Sequence, residues 1–279
     1  MQVRPCEATL GAWVEGLDLG RLSEEEWRAV EAAFHEHAVL VFPAQHLTPD
    51  EQVGFARRFG EIEHVVESVE SVPISNQRRD GSVRTSDDPV MEIIRGNMEW
   101  HTDSSYRPLA AKASVLSARV VPPVGGETEW ADMRAAYQAL DADLRDRVGR
   151  LSARHSLAYS QSRAGFAGRS LSYGFDVAEE PLRPLVKVHP VTGRPALFIG
   201  RHAHAVPGLD EEESQALLDD LLRFACRPPR VLTHRWQEGD VVVWDNRCVL
   251  HRARPWDLSQ PRSMLHTRVA GDPRSELAD

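Results

Sequence analysis

The apolar positions of this chain switch between helical and strand spacing along its length. Trp27, Val30, Phe34 and Ala38 recur at helical spacing behind Ser23 and Glu26, which form a capping box. The continuous apolar run 38–42, stopped by Pro43, predicts a buried strand. Thr48-Pro49-Asp50-Glu51 opens a second helix, with proline at its first position and glutamate at its third, ending near Gly60. Residues 11–19 have strand and turn character, 114–121 predict a strand stopped by Pro122-Pro123, and Gly125-Gly126 is a turn. A helix starts over 132–137, a short one follows from Leu144, and 196–199 form a strand. Asp210 heads an amphipathic helix through Leu217, Leu218, Leu221, Leu222 and Ala225. Strands over 231–236 and 240–244, joined at Gly239, and a last strand over 262–270 close the chain. Two stretches lack a period: the polar, acidic 63–90, and 159–175, rich in Ser, Gly, Arg and Tyr. Both are expected to be lid-like loops, because long irregular stretches inside a domain are commonly functional.

Strands flank the helices throughout, with no βαβ alternation and no glycine-rich phosphate loop. The pattern favours a mainly β fold with added helices, an antiparallel sandwich or jelly roll, over a doubly wound sheet. The 279 residues fit one elaborated domain, 1–279, and 42% hydrophobic residues supply a full core. A net charge of −9 argues against a nucleic-acid partner, although local arginines can still receive an anionic small molecule. Cys6, Cys226 and Cys248 are few, odd in number and far apart, which suits a reducing cytoplasm without disulfides. Residues 1–10 contain no apolar signal-peptide core, and no apolar run approaches a membrane span. The expectation is a cytoplasmic protein with no membrane partner.

The candidate chemistry centres on Trp100-His101-Thr102-Asp103-Ser104-Ser105-Tyr106. In an extended strand, residues two apart share a face, so His101 and Asp103 present an imidazole and a carboxylate to one point. These are two of the three ligands of a 2-His-1-carboxylate site for non-haem Fe(II); a solvated strand-end pair is the plain alternative. His251, after Trp244-Asp245-Asn246-Arg247, is the candidate third ligand, at the rim of a barrel. Such a site needs an electron source, and 2-oxoglutarate would require a cation for its far carboxylate. Arg262 offers the planar fork that meets a carboxylate bidentately, and Thr128 offers a hydroxyl.

His101-Thr102-Asp103, Gly125-Gly126-Glu127-Thr128, the stretch 244–247 with His251, and Arg262 occur in that order. Together they resemble the taurine/2,4-dichlorophenoxyacetate dioxygenase family of Fe(II)/2-oxoglutarate enzymes. The likeness covers about 11–272, and the stretches 100–106, 128–137 and 244–251 are nearest the aryloxyalkanoate branch. The resemblance implies a double-stranded β-helix, a clavaminate synthase-like jelly roll. It implies Fe(II) held by His101, Asp103 and His251, with 2-oxoglutarate and dioxygen as co-substrates. Arg262 and Thr128 would bind the far carboxylate of 2-oxoglutarate, Trp244 would line its site, and Asn97 would help bind substrate. The implied reaction hydroxylates, or otherwise oxidises, a C–H bond of a small organic acid and releases succinate and carbon dioxide. Asp103 fills the position that related halogenases leave to a small residue, so oxygenation is expected. Analogy adds a homo-oligomer, dimer or tetramer.

The chain departs from the family at His266, where members often carry a second basic residue, in the taurine enzyme an arginine that holds the sulfonate. Taurine is therefore not the expected substrate, and His266, Arg268 and His202 are the further candidates for substrate contact. Alternatives from other classes are a biosynthetic oxygenase or desaturase of larger molecules, a non-catalytic jelly-roll binding protein, and a cupin-type hydrolase. His202 and His204 form a His-x-His pair that suggests zinc, but no carboxylate or third histidine lies at a supporting spacing.

Overall fold

The apolar run Val39–Phe42 is buried on both faces because it lies inside a seven-stranded sheet. The computed structural model describes residues 1–64, 68–165 and 180–278. In spatial order the sheet comprises Gln2–Pro5, Ala12–Glu15, Val39–Phe42, Val241–Asp245, Ala111–Val120, Ser263–Ala270 and Val72–Ser75. Neighbours run antiparallel except Ala12–Glu15 beside Val39–Phe42. Strand alternation divides the side chains between two cores. Val39, Val41, Val242 and Trp244 enter one, and Leu40, Phe42, Val241 and Val243 the other.

The outer core is closed by the helices Glu24–His37 and Pro49–Arg57, which start at the capping boxes of Ser23 and Thr48 as their sequences predict. Phe59 fixes their packing, with ring centroids 4.8 Å from both Trp27 and Phe34. Phe34 is fully buried there. Truncation to alanine removes its contacts and leaves a void, so Phe34→Ala should cost about 3–5 kcal/mol in denaturant unfolding. A loss below about 1 kcal/mol would show that this core collapses around the gap.

The inner face meets a second layer, the three-stranded sheet Val231–His234, Thr128–Asp132 and Val249–Ala253. Trp130, Trp244, Leu250 and Met264 fill the space between, and the helix Glu211–Ala225 adds Leu217, Leu218 and Leu221 to the same core. This is a jelly roll with added helices. No described helix is long and apolar enough to cross a membrane.

Several elements differ from expectation. The irregular stretch 63–90 contains the edge strand Val72–Ser75 and leads into a helix, Pro89–Gly96, capped by Asp88. Pro73 lacks an N–H, which an edge strand tolerates, and this strand pairs on one side alone, with Ser263–Ala270. The strand Thr128–Asp132 is wholly buried although its sequence is half polar, so no apolar period marks it. His251 lies inside the strand Val249–Ala253, after the turn that follows Val241–Asp245. The stretch 159–175 begins within the helix Leu157–Arg163; its positions 166–175 lie outside the described residues.

Candidate active site

His101 and His251 face each other through an isolated antiparallel bridge. The His101 amide donates to the His251 carbonyl at 3.0 Å, and the His251 amide donates back at 2.7 Å. The strand expected around His101 is thus one bridge pair; after it the chain turns at Ser104, whose φ is +56°. That turn brings the Asp103 carboxylate to the two rings. The ring centroids are 4.1 Å apart, His251 Nε2 is 3.8 Å from Asp103 Oδ2, and ligand atoms of all three residues lie within 4.8 Å of one another. All three residues are buried.

Their protonation suits a divalent cation. His101 Nδ1 sits 2.8 Å from the Glu99 carbonyl, which fixes the N–H there and leaves Nε2 as the lone-pair donor. Burial lowers the His101 pKa to about 4 and that of His251 well below its usual value, so both rings are neutral ligands. Burial pushes Asp103 up, but the Arg268 guanidinium above all holds its carboxyl well below the usual range. Ser114 Oγ donates to Asp103 Oδ2 at 2.7 Å, and Asn246 Nδ2 donates to that hydroxyl at 2.9 Å. Asn246 Oδ1 in turn accepts from Trp244 Nε1 at 2.9 Å. The carboxylate is therefore oriented by a chain of hydrogen bonds that sequence inspection did not single out, because Ser114 belongs to an ordinary-looking strand.

These groups line a cavity of about 150 Å³, which also takes in Asn97, Thr128, His202, Arg262, His266 and Arg268. Every sequence-derived candidate therefore reaches one cavity. Val72, Ile74, Ile93, Ile94, Leu116 and Met264 give it an apolar wall. Arg262 is buried, donates from Nε to the Gly126 carbonyl at 3.1 Å, and has no ion-pair partner among the described residues. Burial lowers its pKa to about 10 against the weaker opposing pull of the Glu127 carboxylate, with which it makes no ion pair. The two glycines before Thr128 are required here: a Cβ on Gly125 would stand 2.6 Å from the Pro255 carbonyl, and one on Gly126 3.1 Å from Arg262. Thr128 Oγ1 accepts from Trp236 Nε1 at 2.9 Å, so its own proton is directed elsewhere. A buried unpaired guanidinium beside a free hydroxyl proton fits the far carboxylate of 2-oxoglutarate.

His266 stacks on Trp244 at 5.7 Å and stands 3.5 Å from Asp103 Oδ2. Arg268 shares the inward face of the strand, 3.4 Å from Asp103 Oδ1, and donates to Ser104 Oγ at 3.2 Å. Ser104 bonds Glu63 at 2.8 Å. His202 Nδ1 pairs with Ser160 Oγ at 2.8 Å, and its ring lies 4.9 Å from Tyr106. His204 stacks instead on Tyr159 at 4.4 Å, and among the described residues the His-x-His pair belongs to no cluster of metal-ligating groups. A second cluster, His35, His189 and Asp245, is closed to metal. Arg247 and His189 occupy the Asp245 oxygens, and His189 Nδ1 accepts from two backbone amides. Sequence inspection also missed Arg201 and Tyr106, which line the cavity. Both stand inside motifs read for their histidines, and neither carries a spacing signal.

A jelly roll with two histidines and a carboxylate at its centre, beside a buried arginine, defines the class of Fe(II)/2-oxoglutarate oxygenases. The family model for taurine catabolism dioxygenases, TauD/TfdA, matches residues 2–268, and the chain belongs to that family. An (S)-phenoxypropionate/alpha-ketoglutarate-dioxygenase of Sphingobium herbicidovorans is 54% identical, over 99% of this chain and 97% of the relative. The alpha-ketoglutarate-dependent 2,4-dichlorophenoxyacetate dioxygenase of Cupriavidus pinatubonensis is 41% identical, over 96% and 97%. The crystal structure of AAD-2 in complex with Mn(II) and N-oxalylglycine superposes with a TM-score of 0.90 at 40% identity, covering 97% of this chain and 98% of that one. The protein is an alpha-ketoglutarate-dependent dioxygenase that uses Fe(II), 2-oxoglutarate and dioxygen. The non-catalytic and hydrolase alternatives give way to this class.

Proposed function

We propose that this enzyme hydroxylates an aryloxyalkanoic acid of the phenoxypropionate type. The observation that carries the reading is the uneven compensation of the three arginines in the cavity. Arg268 is committed to Asp103 and, through Ser104, to Glu63. Arg262 has no described carboxylate partner. Arg201 donates to Gln161 at 2.7 Å, its buried Nε has no hydrogen-bond partner, and its nearest described carboxylate, the half-exposed Glu99, is 3.7 Å away. Two under-compensated cations and an apolar wall suit two acids, one of them carrying an aromatic body. His101, Asp103 and His251 are assigned to the metal, and Arg262, Thr128 and Trp244 to 2-oxoglutarate. Asn97, Arg201 and His202 are assigned to the organic acid, while His266 and Arg268 support Asp103. The 54% identity to the phenoxypropionate enzyme supports the substrate class.

Fe(II), held by His101, Asp103 and His251, would activate dioxygen, one oxygen atom passing to the substrate carbon and the other into the succinate formed as 2-oxoglutarate loses carbon dioxide. The residues of this chain orient the acid and exclude water. Hydroxylation at the carbon bearing the ether oxygen yields a hemiketal, which collapses to a phenol and a 2-oxo acid. We also read residues 1–279 as one domain and place it in the cytoplasm, consistent with its free cysteines. The described parts of 63–90 and 159–175 give Val72, Val90 and Gln161 to the cavity lining, which supports their reading as lids.

Phenol release from (S)- and (R)-2-phenoxypropionate and from phenoxyacetate tests the proposal. Release from the (S) acid, with 2-oxoglutarate consumed in step, is expected. No phenol from any of the three would reject the substrate class. In Arg201→Met the KM for the aryloxy acid should rise roughly tenfold to a hundredfold, the worth of one charged hydrogen bond, while that for 2-oxoglutarate stays near wild type. An unchanged KM for the acid would remove Arg201 from the substrate site.

A further inference from the structure

The loop that follows Asp103 carries Ser104, Tyr106 and Arg107, yet few of its backbone groups pair within it. Its turn bond runs from the Arg107 amide to the Ser104 carbonyl at 3.0 Å. Three of its carbonyls, those of Ser105, Arg107 and Pro108, converge on one distant side chain. Arg183, in the strand Leu182–Pro184, is 2% exposed. It donates from Nε to the Ser105 carbonyl at 2.7 Å, and from one terminal nitrogen to the carbonyls of Arg107 at 2.6 Å and Pro108 at 3.1 Å. Its other terminal nitrogen reaches the Glu276 carbonyl at 3.1 Å. Among the described residues it makes no ion pair, so a buried guanidinium is spent on four backbone oxygens.

The C-terminal segment is tied to the same place. Ala110 N donates to the Glu276 carbonyl at 3.1 Å, Ala278 N donates to the Pro108 carbonyl at 2.9 Å, and Leu109 bridges Leu277. Glu276 is 1% exposed and is anchored by Lys187. Gly271 permits the fold-back, since a Cβ there would lie 2.3 Å from the Ala110 carbonyl and 2.4 Å from Glu276 Cβ.

We propose that Arg183 and the C-terminal segment 271–278 position Asp103, by clamping the loop that follows it so that its carboxylate is held ready for the metal. Arg183 touches no reacting atom; it is a positioning residue, and the proposal rests on the metal assignment made above. A planar fork with five donors can serve four carbonyls at fixed angles, and an ammonium cannot.

The test is titration of metal-free, full-length protein with Mn(II), alongside hydrogen exchange of the peptide covering 104–110. Arg183→Lys and Gly271→Ala should each weaken Mn(II) binding about tenfold, the lower range for loss of a group that orients a ligand, and speed exchange in that peptide. Saturating metal should restore much of kcat, whereas a purely structural role would lower the unfolding midpoint and leave the Mn(II) Kd unchanged. If Arg183→Lys does not fold, Gly271→Ala and Lys187→Met read the same two quantities. Wild-type Mn(II) affinity in folded variants would overturn the clamp. Absence of Mn(II) binding by the wild-type protein would instead overturn the metal assignment itself.

Discussion

His101→Ala is expected to leave a folded protein that neither retains Fe(II) nor consumes 2-oxoglutarate. The backbone pairing of residue 101 with His251 does not depend on the side chain, so the bridge that shapes the site survives. What disappears is a buried neutral imidazole whose Nδ1 is tied to Glu99 and whose Nε2 points to the ligand cluster. Loss of a group that merely orients a ligand costs about 10–100-fold in metal affinity or activity. Loss of the ligand itself should exceed that range and take turnover to background. Metal content after gel filtration and succinate formation check it together. Full activity with bound iron would reject His101 as a ligand, and loss of the folded state would show that the ring serves packing instead.

Arg262→Met is expected to separate stability from co-substrate binding. In the free protein the guanidinium is a buried cation with no ion pair among the described residues, and its lowered pKa reports the cost of that burial. Methionine keeps an apolar stem of similar reach and removes the uncompensated charge. It gives up the bond to the Gly126 carbonyl and the stacking on Trp256, whose ring centre is 5.1 Å away. The stability of the free protein should therefore change by no more than about 1 kcal/mol. The dissociation constant of 2-oxoglutarate should rise roughly tenfold to a hundredfold, because a charge-assisted hydrogen bond contributes about 1.5–3 kcal/mol. Equilibrium binding of 2-oxoglutarate to Mn(II)-loaded protein, beside denaturant unfolding of the free protein, measures both. Unchanged 2-oxoglutarate affinity would reject Arg262 as the anchor.

The helices beginning after Ser23, Thr48 and Asp210 were legible because their signals are local: a capping side chain, a glutamate three residues on and an apolar stripe. The runs 39–42 and 241–244 were legible because a strand buried on both faces has no polar positions. The strand Thr128–Asp132 was not: its buried glutamate is satisfied by Arg252, 123 positions away, and its buried aspartate by Arg134 and the amides that open the next helix, so polar residues stand where an apolar period would be. The helix Pro89–Gly96 was hidden by the acidic stretch before it, although Asp88 and Pro89 spell its start.

The site divides in the same way. His101, Asp103, Thr128, His251 and Arg262 could be named from sequence because each chemistry demands a particular residue type in a recognisable neighbourhood. Their convergence, and the roles of Ser114, Asn246, Arg201 and Arg183, could not, because these follow from partners 11 to 132 positions away being folded into contact. By itself the sequence determined which atoms are available as ligands and anions' partners, and the alternation that builds two sheets. Tertiary structure alone decided which two of the three arginines in the cavity are left under-compensated, because Coulomb attraction and desolvation depend on distance and burial, and neither is written along the chain.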